Sequence, residues 1–455
     1  MKVHKPIKLF IPKSMLQVVN ENIKTNKENY IYIIHHLLTI PAKDKRFRET
    51  NEIQFVPINK KKLKCLFNCN IDRYVKLLQN YGLIECDKVY KKGEKSFHYR
   101  INPQFKFDCN YYELQPDTEL FKNLIYSINK EKSNYSKLEP YLNEMRKEFM
   151  NIQFDLDSAL EWVKELPNDH NKAIYSLMAY QFSDSRFRYY KRNDTNNRLD
   201  TNLTNLKSDL RRFIIGDYVS IDLSNSQPFL LSILFEKMGK ILTHFTLKKL
   251  DFKQTTITGI LNNKYLPLCL HNDILELVNY FGIQCFKTLL LIRKNDHNSI
   301  FTDLSQFKKW TKDGILYDEF VKKHSEQLTR DKIKNIMFEV LFSKNKVFDK
   351  NRYYIPFEKE KQIFSSVFPT IHNIIEALKE KDNAKLAIYL QQFESSLFID
   401  KIAKQLVESN IIPLTIHDSV IVPQNKERQA LEIIQAVFKK EVGINPTFKI
   451  VNLSK

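Results

Sequence analysis

The stretch Tyr218–Leu234 reads YVSIDLSNSQPFLLSIL, and few local structures can accommodate it. Alternating apolar positions up to Leu223 predict a strand, the small polar run Ser224–Ser226 predicts a turn, and the apolar run from Phe229 predicts a buried helix. Such a unit carries one acid, Asp222, to the end of a strand. A second apolar stretch, IIPLTIHDSVIVP, predicts a hairpin with His417, Asp418 and Ser419 at its tip. If the two strands are neighbours in one sheet, Asp222 and Asp418 converge on one edge. Paired Asp oxygens are hard ligands suited to Mg²⁺. Taken singly, each acid is explained as well by helix capping or by a hairpin turn.

Charge narrows the partners. The chain has 455 residues, enough for two to four domains, with a formal net charge of +19. Residues 1–110 hold 22 Lys/Arg against 10 Asp/Glu, so the basic excess is concentrated there. Clustered cations attract phosphates by charge alone, which makes nucleic acid the expected partner. No apolar run is long enough to cross a bilayer, and the N-terminus lacks the apolar core of a signal peptide. The expectation is a cytoplasmic protein without a membrane partner. Six cysteines show no paired framework and are expected to stay reduced.

The first 105 residues read as three helices and a hairpin, the hairpin being IECDKVYKKGEKSFHYRI. That order resembles a winged-helix domain. The resemblance implies nucleic-acid contacts from Arg73 and Lys76 on the third helix and from Lys91 and Lys92 in the wing. Residues 115–190 read as polar helices. From 214 onward short strands alternate with longer helices, as in a mixed domain.

The helix in TRDKIKNIMFEVLFSK repeats Arg330, Lys334, Phe338 and Phe342 every four residues, a stripe beside an apolar face of Ile333, Met337, Val340 and Leu341. Cations followed by aromatics suit a triphosphate and a base. The spacing resembles the fingers helix of family A DNA polymerases and single-subunit phage RNA polymerases. IDLSNSQ resembles their first palm motif and IHDSV their second, in the same order along the chain. RLDTNLTNLKSDLRRF resembles the family A segment upstream of the first acid, and YLQQFESSLFIDKIAKQL resembles a helix whose Gln reads the minor groove.

The resemblance implies an α+β fold: a right-hand polymerase of thumb, palm and fingers behind a small winged-helix domain. The expected domains are 1–110 (winged helix), 111–197 (thumb) and 198–455 (palm and fingers). Two Mg²⁺ ions would be held by Asp222, Asp418 and the Leu223 carbonyl. Arg330 and Lys334 would hold the β- and γ-phosphates, Lys334 would donate a proton to pyrophosphate, and Phe338 and Phe342 would cover the nascent base pair. Nucleic-acid contacts fall to Arg198, Asn202, Asn205, His417 and Gln392, with Gln391 fitting almost as well as Gln392. The expected partners are a DNA template and primer with dNTPs, and no proofreading is expected in this chain. Two departures from the family pattern bear on the sugar. Gln227 stands where family A DNA polymerases carry Glu, and the acid after HD is Ser419, as in the phage enzymes. RNA synthesis or priming with NTPs is therefore the alternative, and a catalytically inactive DNA-binding regulator is the rival from another class.

Overall fold

The computed structural model describes residues 5–44, 47, 53–90, 96–105, 108, 110–132, 138–247, 275–277, 280–281, 299–324, 328–349 and 352–453. The fold is mixed α/β and divides into two compact units. One comprises residues 1–191, 200–218 and 453–455, the other residues 192–199 and 219–452. No helix among the described residues is long and apolar enough to cross a membrane.

The first unit opens with β1 (Ile7–Phe10), helices Lys13–Asn22 and Lys27–Lys43, and β2 (Val56–Pro57). Helices Lys60–Phe67 and Asp72–Asn80 follow, then β3 (Ile84–Cys86), β4 (His98–Ile101) and β5 (Tyr111–Leu114). The helices Glu119–Lys132, Pro140–Asn151, Leu156–Lys164 and Asp169–Ser183 come next, and the short helices Asn202–Asn205 and Ser208–Arg211 also belong to this unit. Strands β2, β4 and β3 form a three-stranded sheet in that order, with β3 and β4 antiparallel as the hairpin pattern predicts. The tip carrying Lys91 and Lys92 lies outside the described residues. Asn59 caps the Lys60–Phe67 helix by accepting from the Lys62 amide, and that helix ends at Asn68 in the left-handed conformation.

The unit is organised by the Lys27–Lys43 helix, whose Tyr30, Ile31, Ile33, Ile34, Leu37 and Leu38 are buried. Strand β1, which is short, was not anticipated from the pattern. It pairs antiparallel with β5, Ile7 opposite Leu114 and Phe10 opposite Tyr111, so residues 1–110 and 111–191 close into one unit. His35, also on the helix, takes a hydrogen bond through Nδ1 from the Phe10 amide at 2.9 Å. Burial, with the nearby His36 and Lys43, lowers its pKa to about 3.

The neutral ring is thus part of the fold. An unfolded His protonates near its ordinary pKa of about 6.5, so the unfolded state binds more protons as pH falls below that value and stability is lost toward pH 3. A His35→Gln variant keeps an acceptor but does not titrate. Urea midpoints from pH 7 to pH 4 should fall less steeply for it than for the unaltered protein; equal slopes would rule out His35 as a source of acid sensitivity.

The chain leaves this unit along β6 (Tyr190–Arg192) and re-enters it along β7 (Leu199–Thr201). The second unit contains β8 (Tyr218–Leu223), β9 (Val347–Asp349), β10 (Arg352–Tyr354), β11 (Leu414–Ile416), β12 (Ser419–Pro423) and β13 (Phe448–Asn452). Its main sheet has the order β11-β12-β8-β13. The Ser226–Leu247 helix is buried almost continuously from Phe229 to Phe235, as a helix covered on all sides must be. Around it gather helices Ser299–Lys312, Arg330–Phe342, Pro369–Lys379 and Asn383–Ser395. The long helix expected near 384–409 is continuous, but Ser396–Ala403 is wound as a π-helix. Strand β13, mostly exposed and weakly alternating, was invisible to the hydrophobic pattern and closes the sheet beside β8.

Phe438 is fully buried and packs edgewise against Phe398 at 5.9 Å and tilted against Phe229 at 6.1 Å, tying the Glu427–Val442 helix to the core. Phe438→Ala should therefore lower the unfolding free energy by about 3–5 kcal/mol. A loss below about 1 kcal/mol in a urea titration would mean that the site collapses to fill the gap.

Candidate active site

Asp222 ends β8, and β12 lies directly beside β8 in the sheet. Ile416 pairs with Ser419, which leaves His417 and Asp418 as a two-residue turn. His417 has φ 53°, a conformation that non-glycine residues adopt uncommonly and mostly where the surroundings impose it. The Asp418 carbonyl accepts from the Leu223 amide at 3.1 Å, so the tip of the hairpin is fastened to the end of β8. The two acids therefore stand about one strand spacing apart, roughly 5 Å between backbones.

Ser220, two residues before Asp222 on the same face, donates through Oγ to Asp222 Oδ1 at 2.7 Å, and its hydroxyl also meets that of Ser419 at 2.6 Å. A strand's period of two puts Ser220 and Asp222 on one side of the sheet. Asp418 is half-buried, but its carboxyl is packed deeply enough that desolvation dominates. Its pKa rises to about 7, through burial first and then the neighbouring negative charges of Glu394 and Asp222.

Glu394 was not anticipated. It sits two positions before the π-helical segment, is 1% exposed, and forms the hub of a buried polar network. Arg198 meets its Oε1 through two nitrogens, at 2.6 and 2.8 Å. Gln227 Nε2 donates to Oε2 at 2.5 Å and Ser226 Oγ reaches the same oxygen at 3.4 Å. Burial raises the Glu394 pKa, while the Arg198 ion pair opposes that rise. The sequence signal was faint: a lone acid in QQFESSLF, inside a helix singled out for its glutamines.

The network redefines several anticipated residues. The Arg198 guanidinium is held by Glu394. The Gln227 amide has its NH₂ committed to Glu394, and its buried Oε1 has no partner among the described residues. Gln392 donates to the Thr195 carbonyl at 2.8 Å, and Gln391 accepts from Asn196 at 2.9 Å, so both hold the 193–197 loop. Asn202 and Asn205 belong to the first unit. There Asn202 accepts from the Tyr189 amide and Asn205 donates to the Tyr189 hydroxyl. Arg73 and Lys76 are exposed in the first unit on the Asp72–Asn80 helix.

The Arg330–Phe342 helix is capped by Thr329, which accepts from the Lys332 amide. Its Ile333, Ile336, Met337, Val340 and Leu341 are buried, while Lys334 is exposed. Phe338 is 39% exposed and stacks on the partly buried Phe342 at 5.7 Å and 28°. Arg330 lies over the Tyr317 ring at 5.5 Å and meets Asp318 at 3.2 Å. The Tyr317 hydroxyl is pushed up to about 12 by burial, with the Arg330 charge opposing and the Asp418 charge adding. Tyr317 thus stands within electrostatic reach of both Arg330 and Asp418.

The donor set at Asp222 and Asp418 fits Mg²⁺ in its chemistry: hard oxygens, and negative charges whose mutual repulsion a cation relieves. Among the described residues no group of three or more His, Cys, Asp and Glu is placed to hold a metal ion. Close by, the buried Asn225 Nδ2 also lacks a partner among the described residues, and Asn225 has φ 53°. A cavity of about 900 Å³ lies elsewhere, in the first unit beside Lys8, His35, Tyr180 and Arg186, and contains none of the anticipated residues.

No family model matches the sequence, and no curated protein matches it. Among solved structures, the chain is similar to the POL domain of Pol1 from M. smegmatis, in complex with DNA primer-template and dNTP. The TM-score is 0.26 and the identity 8%, over 72% of this chain and 66% of that one, just under two thirds of its length.

The hub makes a stability prediction. Glu394→Ala leaves the Arg198 cation, 18% exposed, without its counter-charge and should cost about 3–5 kcal/mol. Replacing both by Leu should cost much less than the sum of the two single changes, since no charge is then stranded. Additive losses in urea titrations would show that the pair is not coupled.

Proposed function

We propose that this chain is a template-directed nucleotidyltransferase that adds nucleotides to a 3′-hydroxyl, with DNA as the product. The observation that carries this reading is that Asp222 on β8 and Asp418 in the turn entering the neighbouring strand β12 meet at one edge of the sheet. Asp222, Asp418 and the Leu223 carbonyl would hold two Mg²⁺ ions. Such ions, when bound, make the attacking hydroxyl more acidic and offset charge on the departing pyrophosphate.

The protein's own groups take the remaining tasks. Arg330 and Lys334, one helical turn apart, hold the β- and γ-phosphates, and Lys334 hands a proton to the leaving pyrophosphate. The stacked pair Phe338 and Phe342 covers the nascent base pair. Arg198 and Glu394 are positioning residues that hold Gln227 beneath it. His417 and Gln392 line the duplex. In the first unit, Arg73 and Lys76 on the exposed face of their helix, with Lys91 and Lys92, contact phosphates and bases in the manner of a winged helix, and the helices of residues 111–191 grip the duplex as a thumb.

One observation favours a second reading, RNA synthesis. The Gln227 Oε1 is buried and unpartnered among the described residues, and an acceptor placed under a sugar suits a ribose 2′-hydroxyl.

Primer extension with purified full-length protein tests both. Asp222→Ala and Asp418→Ala should each slow addition by roughly a hundredfold or more, and the double variant should be little worse than either. EDTA should abolish addition and Mg²⁺ restore it. Near-normal extension by Asp418→Ala would remove the reading, and a preference for NTPs over dNTPs would make the product RNA.

A further inference from the structure

Five residues after the Arg330–Phe342 helix, the chain forms the two-stranded ribbon β9–β10. The register sets Phe348 opposite Tyr353 and Val347 opposite Tyr354. Phe348 and Tyr353 touch at 4.9 Å yet remain 60% and 72% exposed. Side chains alternate faces along a strand, so Tyr354 lies on the opposite face, and it too is 46% exposed. Both faces of the ribbon therefore present aromatic rings to solvent. An isolated two-stranded ribbon is marginally stable in water and buries little of its own surface.

The base of the ribbon, by contrast, is fixed. Asn345 donates to the Glu376 carbonyl at 2.8 Å, and Lys361 donates to the Lys344 carbonyl at 2.7 Å. Just beyond the ribbon Phe357 is 48% exposed and held at φ 54°, where a bulky residue is rarely found. A firm base and a bare aromatic body suit a surface that engages something.

Charge identifies the occupant. Residues 344–359 carry five Lys/Arg and two Asp/Glu; Lys346, just before β9, and Arg352, opposite Asp349 on the ribbon, are both exposed. A protein-binding patch of this size would be expected to be depleted of Lys at its centre. Rings interleaved with cations match a chain of flat bases on a phosphate backbone, because every base has a face to stack and every linkage a negative charge. We infer that the β9–β10 ribbon is a stacking platform for single-stranded nucleic acid, with Phe348 and Tyr353 taking bases on one face and Lys346, beside β9, and Arg352, on the other face, taking phosphates as the strand passes over the ribbon. Which strand it holds rests on the reading above, in which it is the unpaired template.

The test uses full-length protein and a fluorescent single-stranded oligo(dT) with no nucleotide present, read by anisotropy at two salt concentrations. Phe348→Ala/Tyr353→Ala should weaken binding about tenfold or more and leave the salt slope unchanged. Phe348→Tyr/Tyr353→Phe should restore it. Lys346→Ala/Arg352→Ala should weaken binding and also flatten the salt slope. Melting curves of all variants should coincide, since the ribbon supports no core. Unchanged affinity in the double alanine variant overturns the inference, as does an alanine effect confined to self-association in sedimentation, which would make the ribbon a contact between copies. Primer extension, run separately, keeps the two readings apart. Extension with ribbon-independent oligonucleotide binding sinks only the platform, and ribbon-dependent binding without extension sinks only the nucleotidyl transfer.

Discussion

Carboxylates repel, and the second unit is arranged around holding three of them near one another. Asp222 stands on β8 and Asp418 in the turn that enters the adjacent β12, with Glu394 buried nearby, and the negative charges of Glu394 and Asp222 make Asp418 harder to ionise. Left alone, such a cluster would protonate or splay. Several features oppose that here: the Leu223 amide fastens the turn, Ser220 spans Asp222 and Ser419, and Arg198 neutralises Glu394. Those constraints leave the raised pKa of Asp418 as the residual tension, one that a cation would discharge.

The same network explains why the chain invests in unusual backbone. A π-helical segment of eight residues begins two positions after Glu394, and π-helical turns shift the phase of every side chain around them. His417 and Asn225 occupy left-handed conformations at the two loops that flank the acids. Strained or rare geometry gathered around one polar cluster is what pre-organisation looks like, since surrounding structure must hold what local preference opposes.

Much of this was legible in the sequence because it depends on local rules. The strand–turn–helix at Tyr218–Leu234, the hairpin around His417–Asp418, and the amphipathic helix from Arg330 to Phe342 each follow from periodicity and turn chemistry. The hairpin at 84–101 and its preceding helices follow likewise. Illegible were strands whose identity depends on a distant partner. β1 is recognisable only beside β5, and β13 only beside β8.

The roles of polar side chains divide along the same line. The sequence by itself determined that two acids sit at strand ends and that cations precede aromatics on one helix, because spacing along the chain fixes which residues share a face. Only the tertiary structure decided that β12 lies next to β8, that Glu394 claims Arg198 and Gln227, and that the β9–β10 ribbon stands bare. Arg198 and Glu394 are nearly two hundred residues apart, and a hydrogen bond of 2.8 Å between them reflects how helices and loops pack, which no local pattern encodes.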